Sequence, residues 1–113
     1  MIEDDPATRD AFCALLQLGG DEAVGVENGE AALAFLDTHP VPSAILLDMR
    51  LPVMDGWGFR DVQRRDPRLR NVPVLAVSGD ESFRQRALAS GAAGFIAKPI
   101  DPDELIGALD ALR

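Results

Sequence analysis

The chain has one cysteine, one histidine, one tryptophan and no tyrosine among its 113 residues, and 11 lysines and arginines against 19 acids. With Cys13 alone no internal disulfide can form. Its neighbours Ala11, Phe12, Ala14 and Leu15 make it a small packing residue rather than a reactive thiol. His39 sits at a helix end, where a cation is favoured, and a mild structural role suits it better than catalysis or metal ligation. No apolar run approaches the length of a membrane span, and no basic segment precedes an apolar one in the manner of a secretory leader. The expectation is a cytoplasmic protein without a membrane partner. The formal net charge of -8 argues against general affinity for nucleic acid, whose phosphates repel an acidic surface.

What is present is an ordinary globular composition, 47% hydrophobic and 27% charged. A chain of this length holds one core, so residues 1–113 are expected to form a single domain with no output module beside it. The basic residues are unevenly placed. Arg60, Arg64, Arg65, Arg68 and Arg70 fall on one helix and the loop after it, and read as a solvated face in preference to a dock for an acidic partner.

Short apolar runs alternate with amphipathic stretches, the pattern of a parallel sheet covered on both faces. Strands are predicted over residues 23–26, 43–47, 72–77 and 94–97. Helices are predicted from Asp5-Pro6 to Gly19-Gly20 and over residues 30–38, 57–65, 81–90 and 101–112. Asp5 and Asp101 suit helix caps, each followed by a proline at the first helical position. Phe12, Leu15 and Leu16 mark the buried side of the first helix, and Leu105, Ile106, Leu109 and Leu112 that of the last. Trp57 reads as a partly buried packing residue.

In an open parallel sheet, ligands sit beyond the carboxyl ends of the strands. That rule selects the polar residues closing the apolar runs: Glu3-Asp4-Asp5, Asp48, Ser78 and Lys98. Crowded carboxylates repel one another unless a cation intervenes, and hard oxygen ligands suit Mg2+. An ammonium and a hydroxyl can meet phosphoryl oxygens. Together they fit transfer of a phosphoryl group to Asp48.

Glu3-Asp4-Asp5, Asp48 followed by Pro52 and Gly56, Ser78, and Phe95 with Lys98-Pro99 resemble the receiver domain of two-component response regulators. The resemblance spans essentially the whole chain in order and spacing. It implies a doubly wound, flavodoxin-like, five-stranded parallel sheet of order 2-1-3-4-5. It implies Asp48 as phosphoacceptor, with Asp4 binding Mg2+ directly and Glu3 through water, and the backbone carbonyl of Arg50 completing the protein ligands. Ser78 would meet the phosphoryl group, Lys98 would pair with it, Lys98-Pro99 would be a cis peptide, and Phe95 would hold the aromatic switch position. Arg50 and Asp80 would flank the route of attacking water. The donor would be a histidine kinase or a histidine phosphotransfer protein, and the output a contact with an unidentified downstream protein through the last helix-strand-helix. At most the chain would catalyse its own phosphorylation and dephosphorylation, so it is not expected to be an enzyme in the ordinary sense.

One feature departs from the family pattern: only Met1 and Ile2 precede Glu3, where about five apolar residues normally form the central strand. The first strand is therefore expected to be shortened, with low stability or a dimer formed through it. The shortening also leaves open a pseudo-receiver, an interaction module of the same fold that takes no phosphate. An aspartyl-phosphate hydrolase of the dehalogenase type is disfavoured, because Arg50 stands where that chemistry wants a second acid.

Overall fold

The computed structural model describes residues 1–50 and 54–112; Pro52, in the turn after Asp48, lies outside them. Its helices are α1 (Pro6–Leu18), α2 (Gly29–Thr38), α3 (Gly56–Arg65), α4 (Arg84–Ala89) and α5 (Pro102–Asp110). Its strands are β1 (Ile45–Asp48), β2 (Val74–Ser78) and β3 (Gly94–Ala97), and a 3-10 turn (Glu81–Phe83) leads into α4. Local side chains start four helices, two of them, at Asp5 and Asp101, as the sequence suggests. Asp5, Asn28, Asp55 and Asp101 each accept a backbone amide of the first turn, from Thr8, Ala31, Gly58 and Asp103 respectively. The predicted helix over 81–90 is split. The Asp80 carboxylate takes both the amide and the hydroxyl of Ser82 (3.0 and 2.5 Å), which tightens that turn before α4 begins.

The strands pair in parallel in the order β1-β2-β3, with Ile45 beside Val74 and Leu75 beside Gly94. Five strands were expected, and among the described residues three form. The segment 23–26 contributes only an isolated bridge at Val26, and the start of the chain only one at Ile2. Neither segment joins the three-stranded ladder beyond these bridges. The stub is nonetheless fully engaged. Ile2 N–H donates to Leu46 (2.8 Å), Asp48 N–H donates to Ile2 (3.1 Å), and Glu3 and Val26 amides bond across to Val26 and Met1 (3.0 and 2.9 Å). The pairing expected to drive a dimer is thus met within one chain along these residues.

Alternation along the strands divides the core. Ile45, Leu47, Val74, Ala76 and Phe95 face the side that includes Ala32 and Leu36 of α2 and Phe59 of α3. Leu46, Leu75, Val77 and Ile96 face Phe12 and Leu16 of α1 and Leu105 of α5. Helices therefore cover both sides, and the strand ends remain for the site.

Gly56 is needed where the loop after Asp48 returns to the sheet. A Cβ there would stand 2.7 Å from the Met49 Cα, and the Gly56 amide donates to the Met49 carbonyl (3.3 Å). Backbone cannot give way as a side-chain tip can. Gly56→Ala is expected to lower stability by about 1–3 kcal/mol in urea unfolding, the usual cost of overpacking; an unchanged midpoint would refute the close approach.

Candidate phosphoacceptor site

Strand β1 ends on Asp48, one residue beyond the predicted 43–47 run, and leaves its carboxylate only 4% exposed. Parallel bridging carries Ile2 alongside Leu47, which sets Glu3 and Asp4 at the same sheet edge. Strand β3 delivers Lys98 from the far end of the chain, its amide anchored on the Ser78 carbonyl (2.9 Å) and the Lys98-Pro99 peptide cis. The ammonium reaches both acids: Nζ donates to Glu3 Oε1 at 2.5 Å and to Asp48 Oδ2 at 2.8 Å.

Glu3, Asp4 and Asp48 present carboxylate oxygens that all lie within 4.8 Å of one another. With the three acids ionised, one ammonium leaves this corner with two uncompensated negative charges. That imbalance shows in Glu3, fully buried, whose pKa is pushed up to about 7 by burial first and then by its hydrogen bond with Asp48, against the pull of Lys98. For Lys98, burial works against the charge, but the bonds to Asp48 and Glu3 outweigh it and raise its pKa. A hard divalent cation with retained waters fits such an all-oxygen set.

The remaining predicted residues surround this core at different removes. The Arg50 amide donates to Asp48 Oδ1 (2.9 Å), which fixes the backbone at that point beside the carboxylate. Its side chain turns outward to Asp80 Oδ2 (2.8 Å), so the two residues expected to flank the water route pair with each other. Ser78 is buried at the end of β2, and its Oγ accepts the Asp80 amide (3.0 Å), so the hydroxyl is tied to its own loop. Phe95 is buried among the core residues on the α2–α4 side, with the Arg84 guanidinium 4.8 Å from its ring centroid. Asp5 caps α1 and takes no part in the acid cluster. His39 stacks on Phe35 with ring centroids 3.8 Å apart, a structural role.

The arginine group forms the expected solvated face at Arg64, Arg65, Arg68 and Arg70, which are exposed, but not at Arg60. Arg60 is buried, donating to Gln63 Oε1 (2.7 Å) and to the Ser90 carbonyl (2.9 Å). Arg64 also donates to the Ser90 carbonyl, and Arg68 to the carbonyls of Leu36 and His39. These cations satisfy carbonyls at the C-terminal ends of α4 and α2, where positive charge is favoured. Their destinations lie 26 to 32 residues away in sequence, so no local pattern could announce them.

The whole described site, from Glu3 to Lys98, lies within residues 1–110, which match the response regulator receiver domain family. The chain belongs to this family. It is 34% identical to the phosphate regulon transcriptional regulatory protein PhoB of Klebsiella pneumoniae, over 99% of this chain and 49% of that protein. The chain therefore spans about half the length of that relative. Among solved structures, the chemotaxis response regulator CheY4 of Vibrio cholerae superposes with a TM-score of 0.89 at 27% identity, covering 99% of this chain and 94% of that one. The receiver domain of the sensor histidine kinase PA1611 from Pseudomonas aeruginosa PAO1 gives 0.86 at 29% identity, covering 98% and 92%, and holds a magnesium ion in its active site cleft. The receiver fold, a parallel sheet between helices, is thus shared, and no described helix is long and apolar enough to cross a membrane.

Proposed function

We propose that this receiver takes a phosphoryl group on Asp48 from a histidine kinase or a histidine phosphotransfer protein and signals by protein contact. The observation that carries the reading is the convergence of Lys98 on Asp48 and Glu3 from 50 and 95 residues away. The shortened first strand, the ground for a pseudo-receiver, does not displace the acids, because the bridges at Ile2 hold them beside Asp48. Asp4 and Asp48, with Glu3 through water and the Arg50 carbonyl, would hold Mg2+. When bound, that ion neutralises charge on phosphoryl oxygens. The chain's own residues do the rest: Lys98 pairs with the incoming group, and Ser78 leaves the Asp80 amide to donate to it. A phosphoryl group adds about 1.5–2 negative charges at one point, enough to favour a second packing of the α4–β3–α5 face and change its affinity for a downstream protein. On this reading the chain works in the cytoplasm, catalyses at most its own phosphorylation and dephosphorylation, and has no nucleic-acid partner of its own.

Incubation with acetyl phosphate and Mg2+, followed by intact mass, tests the reading. Wild-type chain is expected to gain one phosphoryl group and Asp48→Asn none; a wild type that stays unmodified would establish the pseudo-receiver instead.

Arg50 and Asp80 are proposed to restrict water at the acyl phosphate. The Ser82 hydroxyl, the Ser82 amide and the Arg50 side chain, in that order, hold the Asp80 pKa below the ordinary carboxylate value, against a smaller opposing effect of burial. Arg50→Ala is expected to shorten the phosphorylated lifetime by up to about fivefold, the rate equivalent of an exposed ion pair. An unaltered decay rate would remove this role.

A further inference from the structure

The pairing of Arg50 with Asp80 is exposed, and an exposed ion pair by itself holds a long side chain poorly. Here the guanidinium has a second support. It lies 5.2 Å from the centroid of the Phe83 ring, and Phe83 meets the edge of Trp57 at 5.9 Å and 75°. The Arg86 guanidinium lies 3.9 Å from the centroid of the Trp57 ring. Cation, ring, ring and cation thus form a continuous row from the mouth of the site to α4.

The row is anchored beside the acceptor at its Arg50 end. The Arg50 amide bonds Asp48 Oδ1, its side chain bonds Asp80, and the Asp80 amide bonds the Ser78 hydroxyl. Asp80 and Phe83 belong to one 3-10 turn, which the other Asp80 oxygen closes on Ser82. Arg50 is therefore held by two side chains, one at each end of a single capped turn.

Resting on the phosphoacceptor reading, we infer that Phe83, backed by Trp57 and Arg86, is a positioning residue that sets the lifetime of phosphorylated Asp48 by holding Arg50 across the water route. Phe83 touches no reacting atom and acts only through Arg50. A ring face is required, since an aliphatic side chain of similar bulk offers no quadrupole to the guanidinium.

Decay of the phosphorylated full chain after removal of acetyl phosphate, with Mg2+ present, tests this in wild type and four variants. Phe83→Leu is expected to decay about two- to fivefold faster than wild type, the loss of one exposed cation–π contact converted to a rate. Phe83→Tyr keeps the ring face and is expected to decay at the wild-type rate. The double variant Arg50→Ala/Phe83→Leu is expected to decay no faster than Arg50→Ala alone, because the two act as one device. Equal decay of Phe83→Leu and wild type, or an acceleration that persists when Arg50 is already alanine, overturns the inference. If wild type takes up no phosphate, the acceptor reading itself falls; uptake with unaltered decay sinks the positioning role alone.

Discussion

Lys98→Ala is expected to destabilise the chain by about 3 kcal/mol in chelator, a large part of a typical margin of about 5–15 kcal/mol. Glu3 is fully buried and Asp48 nearly so, and the only cation hydrogen-bonded to both among the described residues is the Lys98 ammonium. Removing it leaves two carboxylates facing each other out of water, which is far worse than removing the whole cluster. The lysine side chain is 28% exposed, so the lower end of the range for a broken buried pair applies. A divalent cation should repair most of the loss, because binding that favours the folded chain adds to its stability. Urea midpoints of wild type and Lys98→Ala, each with chelator and with millimolar Mg2+, check this. The expected result is a deficit that shrinks when the metal is added; an equal deficit in both conditions would mean that the acids do not form one electrostatic unit.

Arg60→Met is expected to cost about 2 kcal/mol, although the replacement is apolar and of similar length. Arg60 links α3 to the end of α4 through the Ser90 carbonyl, and it saturates Gln63 Oε1 in the interior. Gln63 is fully buried, and its amide nitrogen is committed to the carbonyls of Leu69 and Val72, both at 3.0 Å. Loss of Arg60 leaves a buried acceptor with no donor. The cost is held down because burial, with the charge of Arg64, already lowers the Arg60 pKa, and its Nε has no partner among the described residues. Gln63→Met should cost about 3 kcal/mol, and the double variant less than the sum of the two, since both belong to one network. Additive losses would show that the two side chains act separately.

Glu3, Asp48 and Lys98 could be picked out because each closes an apolar run, and the ends of parallel strands share one edge whatever the details of packing. Two helix caps were equally legible, since Asp5 and Asp101 act on amides two or three residues away; Asn28 and Asp55 cap their helices in the same way without having been singled out. Other features were not. The stretch 23–26 has strand-like residues, yet it makes one bridge, Val26 with Ile2, and bonds to Met1 and Glu3 without joining the sheet ladder. Four of the arginines are exposed as a solvated face requires, but charge patterning records type and spacing, not the burial of Arg60 or the carbonyls that Arg60, Arg64 and Arg68 reach on other elements.

Phe83 shows the same limit from the side of function. In sequence it is an unremarked residue in the first turn of a helix, and only the fold lays its ring beneath the Arg50 guanidinium. By itself the sequence determined the strand-helix alternation, the caps, and the residue types gathered at the strand ends, because periodicity and nearest neighbours govern those. Tertiary structure alone decided that Glu3 keeps its place despite a two-residue lead, that one ammonium serves two acids, and which carbonyls the arginines satisfy. Those outcomes depend on distances between segments far apart in the chain, which no local pattern encodes.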